Sequence, residues 1–182
     1  MPTPLSLTGK KWILPTDSNK ANAKLLLASL LNERQLDGDC IPSVLQDMKK
    51  AVDRIRTAIS NNEKVGIFGD YDCDGITAVS QLVRFFRRNN SLPFVRLPHR
   101  VQDGYGLNDD LVKEFVNEGI ALLITADTGV SSSSEIESLS KAGIETIVTD
   151  HHALPKKLPD SFAILHPELS SSCTPPHPAG AG

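Results

Sequence analysis

KVGIFGDYDCDGITAVSQLVRFFRR, residues 64–88, changes its periodicity within a few residues. Val65 to Phe68 is a short apolar run of the kind a buried strand needs, while Ile76 to Arg88 spaces its apolar residues as a helix does. Between them stand Asp70, Asp72 and Asp74, followed by Gly75, which lets the chain turn sharply into the helix. Strand, acidic turn and amphipathic helix together read as the first half of a βαβ crossover.

The same alternation continues downstream. Candidate strands are Phe94 to Pro98, Ala121 to Ala126, Glu145 to Thr149 and Phe162 to Leu165, and helical patterns at Asn108 to Glu118 and Ser132 to Ala142 fill two of the gaps. Strands separated by single helices are what right-handed crossovers of a parallel sheet require. The spacing therefore predicts a doubly wound α/β fold, a mainly parallel sheet flanked by helices. Upstream, residues 21–35 and 43–60 carry apolar stripes at helical spacing and predict two helices, preceded by an arm around the lone Trp12. The expected organisation is an N-terminal helical extension over 1–60 and the α/β domain over 61–182.

Composition excludes several classes. A chain of 182 residues with 40% hydrophobic and 23% charged residues has the makings of one globular domain, neither disordered nor a coiled coil. The net charge of -3 carries no global nucleic-acid signature, although Arg84, Arg87, Arg88, Arg96 and Arg100 gather in a short stretch that reads either as a phosphate-binding stripe or as a solvated face. Cys40, Cys73 and Cys173 stand at unrelated spacings that fit no disulfide framework, so a reducing cytoplasm is expected. The apolar run Leu25 to Leu31 is too short to span a bilayer, and no membrane association is expected.

The chemistry-bearing residues fall just after strands. On an extended segment Asp70, Asp72 and Asp74 point to one side and Cys73 to the other, as a packing residue. Crowded carboxylates repel unless cations neutralise them, so the pattern reads as a metal site; turn and N-cap chemistry is the other reading. Asp127 ends the strand before Gly129, and Asp150, His151 and His152 end the next one. In open parallel sheets ligands bind outside the carboxyl ends of strands, which is where all of these lie. Aspartate oxygens and histidine nitrogens without thiolates suit Mn²⁺ or Mg²⁺ better than Zn²⁺. Two such ions, about 3.5 to 4 Å apart, clamp the attacking and leaving oxygens of an in-line displacement at phosphorus. Hydrolysis of a phosphoester or phosphoanhydride is the chemistry implied.

GIFGDYDCDGITA (66–78), LPHRVQDGYGLN (97–108), LLITADTGVS (122–131) and TIVTDHHALP (146–155), with the helix DMKKAVDRIRTAI (47–59), resemble successive blocks of the DHH phosphoesterase superfamily, and within it the RecJ group of single-strand-specific exonucleases. The resemblance implies two divalent cations, Mn²⁺ or Mg²⁺, with Asp72 and Asp74 as ligands, Asp127 as the bridge and His151 as the histidine ligand. It implies that His152 contacts the scissile phosphate, that Asp150 orients the imidazoles, and that Arg100 meets a substrate phosphate, the alternative for Arg100 being a salt bridge to Asp103. Where many relatives have a histidine, this chain has Phe68, and Asp70 is the expected substitute ligand. ADTG stands in place of the commoner DCG, with Asp127 kept.

The function implied is metal-dependent hydrolysis of single-stranded DNA from its 5' end, in DNA repair and recombination, with single-stranded DNA as partner. Two other functions compete: a relative that cleaves pyrophosphate, short oligoribonucleotides or cyclic dinucleotides, and a non-catalytic RecJ-like scaffold of a replication complex. GAG at 180–182 resembles the start of the segment leading to a fourth metal motif, so the chain is expected to be the N-terminal part of a longer enzyme, with the isolated fragment weakly active or inactive.

Overall fold

The computed structural model describes residues 45–171. The chain divides into two compact units, Met1–Asp37 and Gly38–Gly182, and the first, with the expected helix at 21–35 and Trp12, lies outside the described residues, as do Cys40, Cys173 and the tail. Elements follow in the order α1 (Met48–Ser60), β1 (Val65–Gly69), α2 (Cys73–Arg88), β2 (Phe94–Arg96), α3 (Asp109–Asn117), β3 (Leu122–Ala126), α4 (Ser133–Lys141), β4 (Glu145–Thr149), β5 (Ala163–Leu165) and a 3₁₀ turn at Pro167–Leu169. All five strands are parallel, in the order β2-β1-β3-β4-β5.

Both faces of the sheet are covered, which is why β1 and β3 are buried along their whole lengths and read as continuous apolar runs. Successive side chains still go to opposite layers. Val65 and Ile67 of β1, Leu122 and Ile124 of β3 and Ile147 of β4 pack with Ala51 and Ala58 of α1 and Ala78, Val79 and Phe86 of α2. Phe68, Leu123 and Val148 pack on the other side with Leu111 and Phe115 of α3 and Ile136 and Leu139 of α4. Phe115 receives Phe68 and Phe94 edge-on, at 6.1 and 6.2 Å between ring centres. Phe68 is thus a core residue, its ring pointing away from any solvent-facing site, and fully burying such a side chain contributes roughly 1.5–3 kcal/mol.

Helix limits follow local chemistry. The Asn108 side chain accepts hydrogen bonds from the amides of Asp110 and Leu111 and starts α3. The residue after each C-cap takes a left-handed φ: Asn62, Asn90, Gly119 and Gly143 for the four helices in turn. Helix α1, grouped by sequence with the N-terminal extension, packs on the sheet. Arg54 fastens it to Glu63 at 2.6 Å and to Glu145 of β4. No helix among the described residues is long and apolar enough to cross a membrane.

Candidate metal centre

In this strand order, the connection leaving β1 passes over one face to β2 and the connection returning to β3 passes over the other. The crevice of such a sheet opens at that reversal, outside the carboxyl ends of β1 and β3. The ladder register brings three aspartates to one level there. Gly69 pairs with Ala126 and Ala126 with Thr149, so the residues one step on are Asp70, Asp127 and Asp150. Each amide is held by the neighbouring strand: Asp70 N donates to Ala126 O, Asp127 N to Thr149 O and Asp150 N to Leu165 O. Strands lie about 4.8 Å apart, so carboxylates at one level on adjacent tips necessarily crowd.

The acidic segment after β1 departs from expectation. It is not extended from Asp70 to Asp74, because α2 begins at Cys73, and Cys73 is exposed instead of packed. The reason is local capping. Asp72 Oδ1 accepts from the amides of Asp74 and Gly75, at 2.9 and 3.0 Å. A Cβ at Gly75 would stand 2.6–2.7 Å from the backbone N and O and the Cβ of Asp70, so only glycine lets the first turn close on the strand tip. N-cap and metal-site readings of this segment are therefore compatible, since capping uses one oxygen of Asp72. Asp74 enters the first turn of α2, where the helix dipole favours a carboxylate.

Asp127 is 1% exposed, has a left-handed φ of 63°, and neither of its oxygens accepts a hydrogen bond. Burial, then the charge of Asp74, push its carboxyl up to about 6. His151 Nε2 lies 3.0 Å from Asp127 Oδ1 and 3.5 Å from Asp74 Oδ2. Two sets of potential ligand atoms, each within 4.8 Å of one another, come from Asp70, Asp72 and Asp127 and from Asp127, His151 and His152. Asp127 belongs to both. Donors coordinated to one octahedral ion with bonds of about 2.1 Å sit about 3 Å apart, so this set, with its orphaned buried carboxylate, fits Mg²⁺ or Mn²⁺.

Asp150 stands behind the imidazoles. Its Oδ2 accepts from Val130 N at 2.9 Å, and its Oδ1 accepts from the amides of His151 and His152 and lies 2.8 Å from His152 Nδ1. Burial opposes ionisation of Asp150, but these donors outweigh it and hold the carboxyl below its ordinary value. Burial likewise opposes the charge on His152, and the Asp150 hydrogen bond and charge overcome it, raising its pKa. With Nδ1 occupied, Nε2 is the nitrogen His152 has left to offer.

Arg100 is brought beside the site, not into the carboxylate group: its guanidinium lies 5.1 Å over the ring of Tyr71. The alternative salt bridge to Asp103 is taken by Arg96, at 2.9 Å, while Arg96 also reaches Glu114. Two residues escaped the sequence reading, Tyr71 and Tyr105. Tyr105 meets Tyr71 and His152 edge-on, at 6.5 and 5.9 Å between ring centres. Burial and the charge of Asp150 push its phenol up to about 12, so it stays a hydrogen-bond donor. The available signal was their position inside DYDCD and DGYG. A pocket of about 160 Å³ adjoins His152, lined by Tyr105, Thr128, Ser132 and Glu135 among others.

Residues 64–182 match the DHH family, N-terminal domain. The chain belongs to the DHH family. The chain is 38% identical over 141 residues to the single-stranded-DNA-specific exonuclease RecJ of Bacillus subtilis (strain 168), a match covering 78% of the chain and 18% of that protein. It is similar to the crystal structure of exonuclease RecJ bound to manganese, with TM-score 0.72 and 31% identity over 79% of this chain and 36% of the other. It is also similar to RecJ in complex with Mn²⁺ from Thermus thermophilus, with TM-score 0.65 and 29% identity over 76% and 19% of the two chains. The chain spans 18% to 26% of the length of the first curated relatives it matches.

Proposed function

We propose that this DHH domain supplies metal-binding residues of a RecJ-like exonuclease that hydrolyses single-stranded DNA from the 5' end, in cytoplasmic DNA repair and recombination. The observation that carries the reading is Asp127, buried, accepting no hydrogen bond although His151 Nε2 lies 3.0 Å away, and common to both potential ligand sets. Asp70 and Asp72 would hold one cation and His151, with Asp74 beside it, the other, with Asp127 serving both. Two bound divalent cations, Mn²⁺ or Mg²⁺, would supply acidification of a water and neutralisation of the charge that develops on the leaving oxygen.

The chain's own residues do the rest. Asp150 fixes the His152 ring through Nδ1 and leaves Nε2 to contact the scissile phosphate. The raised pKa of His152 favours the charged ring, which suits an anionic group. Arg100, exposed on the edge of the site and backed by the Tyr71 ring, meets a further phosphate of the strand. Retention of every one of these groups speaks against a scaffold that has lost its chemistry. The similarity to RecJ proteins favours a DNA strand over a small substrate.

The test is calorimetric titration with Mn²⁺ of this chain and of Asp127→Ala, alongside degradation of a 5'-labelled single strand by both. Loss of Mn²⁺ affinity by at least about tenfold in the variant is expected. Equal Mn²⁺ binding by the two proteins would sink the bridging role.

A further inference from the structure

His166 follows β5 and is completely buried, yet neither of its ring nitrogens is idle. Glu168 N–H points at Nδ1 from 3.2 Å, and the carbonyl oxygen of His152 lies 2.8 Å from Nε2. An amide can only donate and a carbonyl can only accept, so the two contacts together admit one tautomer: Nδ1 bare, Nε2 carrying the proton. The imidazole bridges the 3₁₀ turn at Pro167–Leu169 to the backbone of the Asp150–His152 segment.

We infer that His166 is a positioning residue for the metal centre, and that its Nε2–H fixes the turn that presents His151 and His152. Its importance for His151 and His152 rests on the metal-site reading above; the tether itself does not. The Asp150–His152 turn is gripped from two sides. From within, the Asp150 carboxylate takes the amides of His151 and His152 and the His152 ring. From behind, His166 takes an acceptor that the Asp150 carboxylate cannot satisfy, the His152 carbonyl. No helix bridges β4 to β5, so the span 150–162 has no regular ladder of its own to hold this carbonyl. Groups that orient metal ligands from behind typically change metal affinity or activity 10–100-fold when removed.

Two substitutions separate the two ring nitrogens. His166→Asn puts an oxygen near Nδ1, keeps an N-cap for the 3₁₀ turn and cannot reach the His152 carbonyl. His166→Gln places an amide N–H near Nε2 and restores the tether while giving up the cap. Calorimetric Mn²⁺ binding to the whole chain should weaken about tenfold or more in His166→Asn and stay within about threefold of the wild type in His166→Gln. Equal binding in all three proteins, or equal losses in both variants, overturns the proposal, because a packing role predicts no rescue by Gln.

A third measurement needs no variant to fold. In the metal-free wild type, ¹⁵N-resolved spectra of the His166 ring should show a proton on Nε2, protected from exchange. A proton on Nδ1 instead refutes the tether. Failure of the wild type to bind Mn²⁺ at all would remove the metal-site reading and leave this tautomer result standing by itself.

Discussion

Asp127 shows how one residue concentrates the properties of the site. Its left-handed φ costs of order 1–3 kcal/mol for a residue other than glycine, its carboxylate is buried, and its pKa is raised to about 6 by burial and by Asp74. Each feature opposes folding, and a cation would relieve the two electrostatic ones, the buried charge and the repulsion from Asp74. Gly75 carries the opposite kind of necessity. Gly75→Ala should destabilise the protein by about 1–3 kcal/mol in urea titrations, because the atoms it would strike, the backbone N and O of Asp70 and its Cβ, cannot swing away. An unchanged midpoint would show that the close approach to Asp70 is dispensable. The two histidines should separate by readout. His151→Ala should weaken Mn²⁺ about tenfold or more, whereas His152→Ala should leave Mn²⁺ affinity within about threefold and slow strand degradation about a hundredfold. Equal Mn²⁺ losses in both would make His152 a ligand and leave the phosphate contact without support.

At the scale of elements, α1 is held to the sheet by charge as well as by Ala51 and Ala58. The Arg54 hydrogen bond holds Glu63 below its ordinary value of 4.5, against a smaller opposing effect of burial. A carboxyl depressed in the folded state adds stability that is complete above about pH 4.5 and disappears as pH falls through its folded value. Glu63→Gln should therefore cost about 1 kcal/mol at neutral pH, and its denaturation curve should approach the wild type's as pH falls below 4.5 and through the folded value of Glu63. A constant difference across that range would assign the effect to packing. The elements themselves were largely legible: β4 runs from Glu145 to Thr149 as the β-branched run predicts, and α3 and α4 stop one residue inside each predicted end because the outer residues are caps. Helix α2 was misjudged by three residues at its start. Alternation of aspartates looks like a strand to any period-two reading, and only the side chain of Asp72 turning back onto the amides of Asp74 and Gly75 makes it a helix terminus.

At the scale of the molecule, the sheet is a device for bringing distant residues to one level. Asp70, Asp127 and Asp150 are far apart in the chain, and parallel strands in register deliver them side by side. Because the ligand donors are set by that register, cation binding should stabilise the whole fold. Mn²⁺ at about one hundred times its dissociation constant should add about 2.7 kcal/mol to the unfolding free energy of the wild type, and chelation should remove it. A melting temperature indifferent to Mn²⁺ would mean that the donors do not converge on an ion in solution. The same shift should be absent in Asp127→Ala.

Sequence by itself determined the α/β class, the strands that end in carboxylates and the identity of the candidate ligands, because strand and helix periods and the chemistry of Asp and His are local properties. It also carried the resemblance that the family match bears out. Tertiary structure decided what lies at a distance along the chain. It made Asp127 common to both ligand sets, gave Asp103 to Arg96 instead of Arg100, brought Tyr71 and Tyr105 to the edge of the site, and set His166 behind His152. The Arg96 pairing and the place of His166 have no periodicity or motif to announce them, whereas the bridging place of Asp127 was implied by the resemblance and the two tyrosines stand inside motifs. Each is fixed by the register of neighbouring strands and by which loop the sheet places beside which, and those are properties of the packed chain.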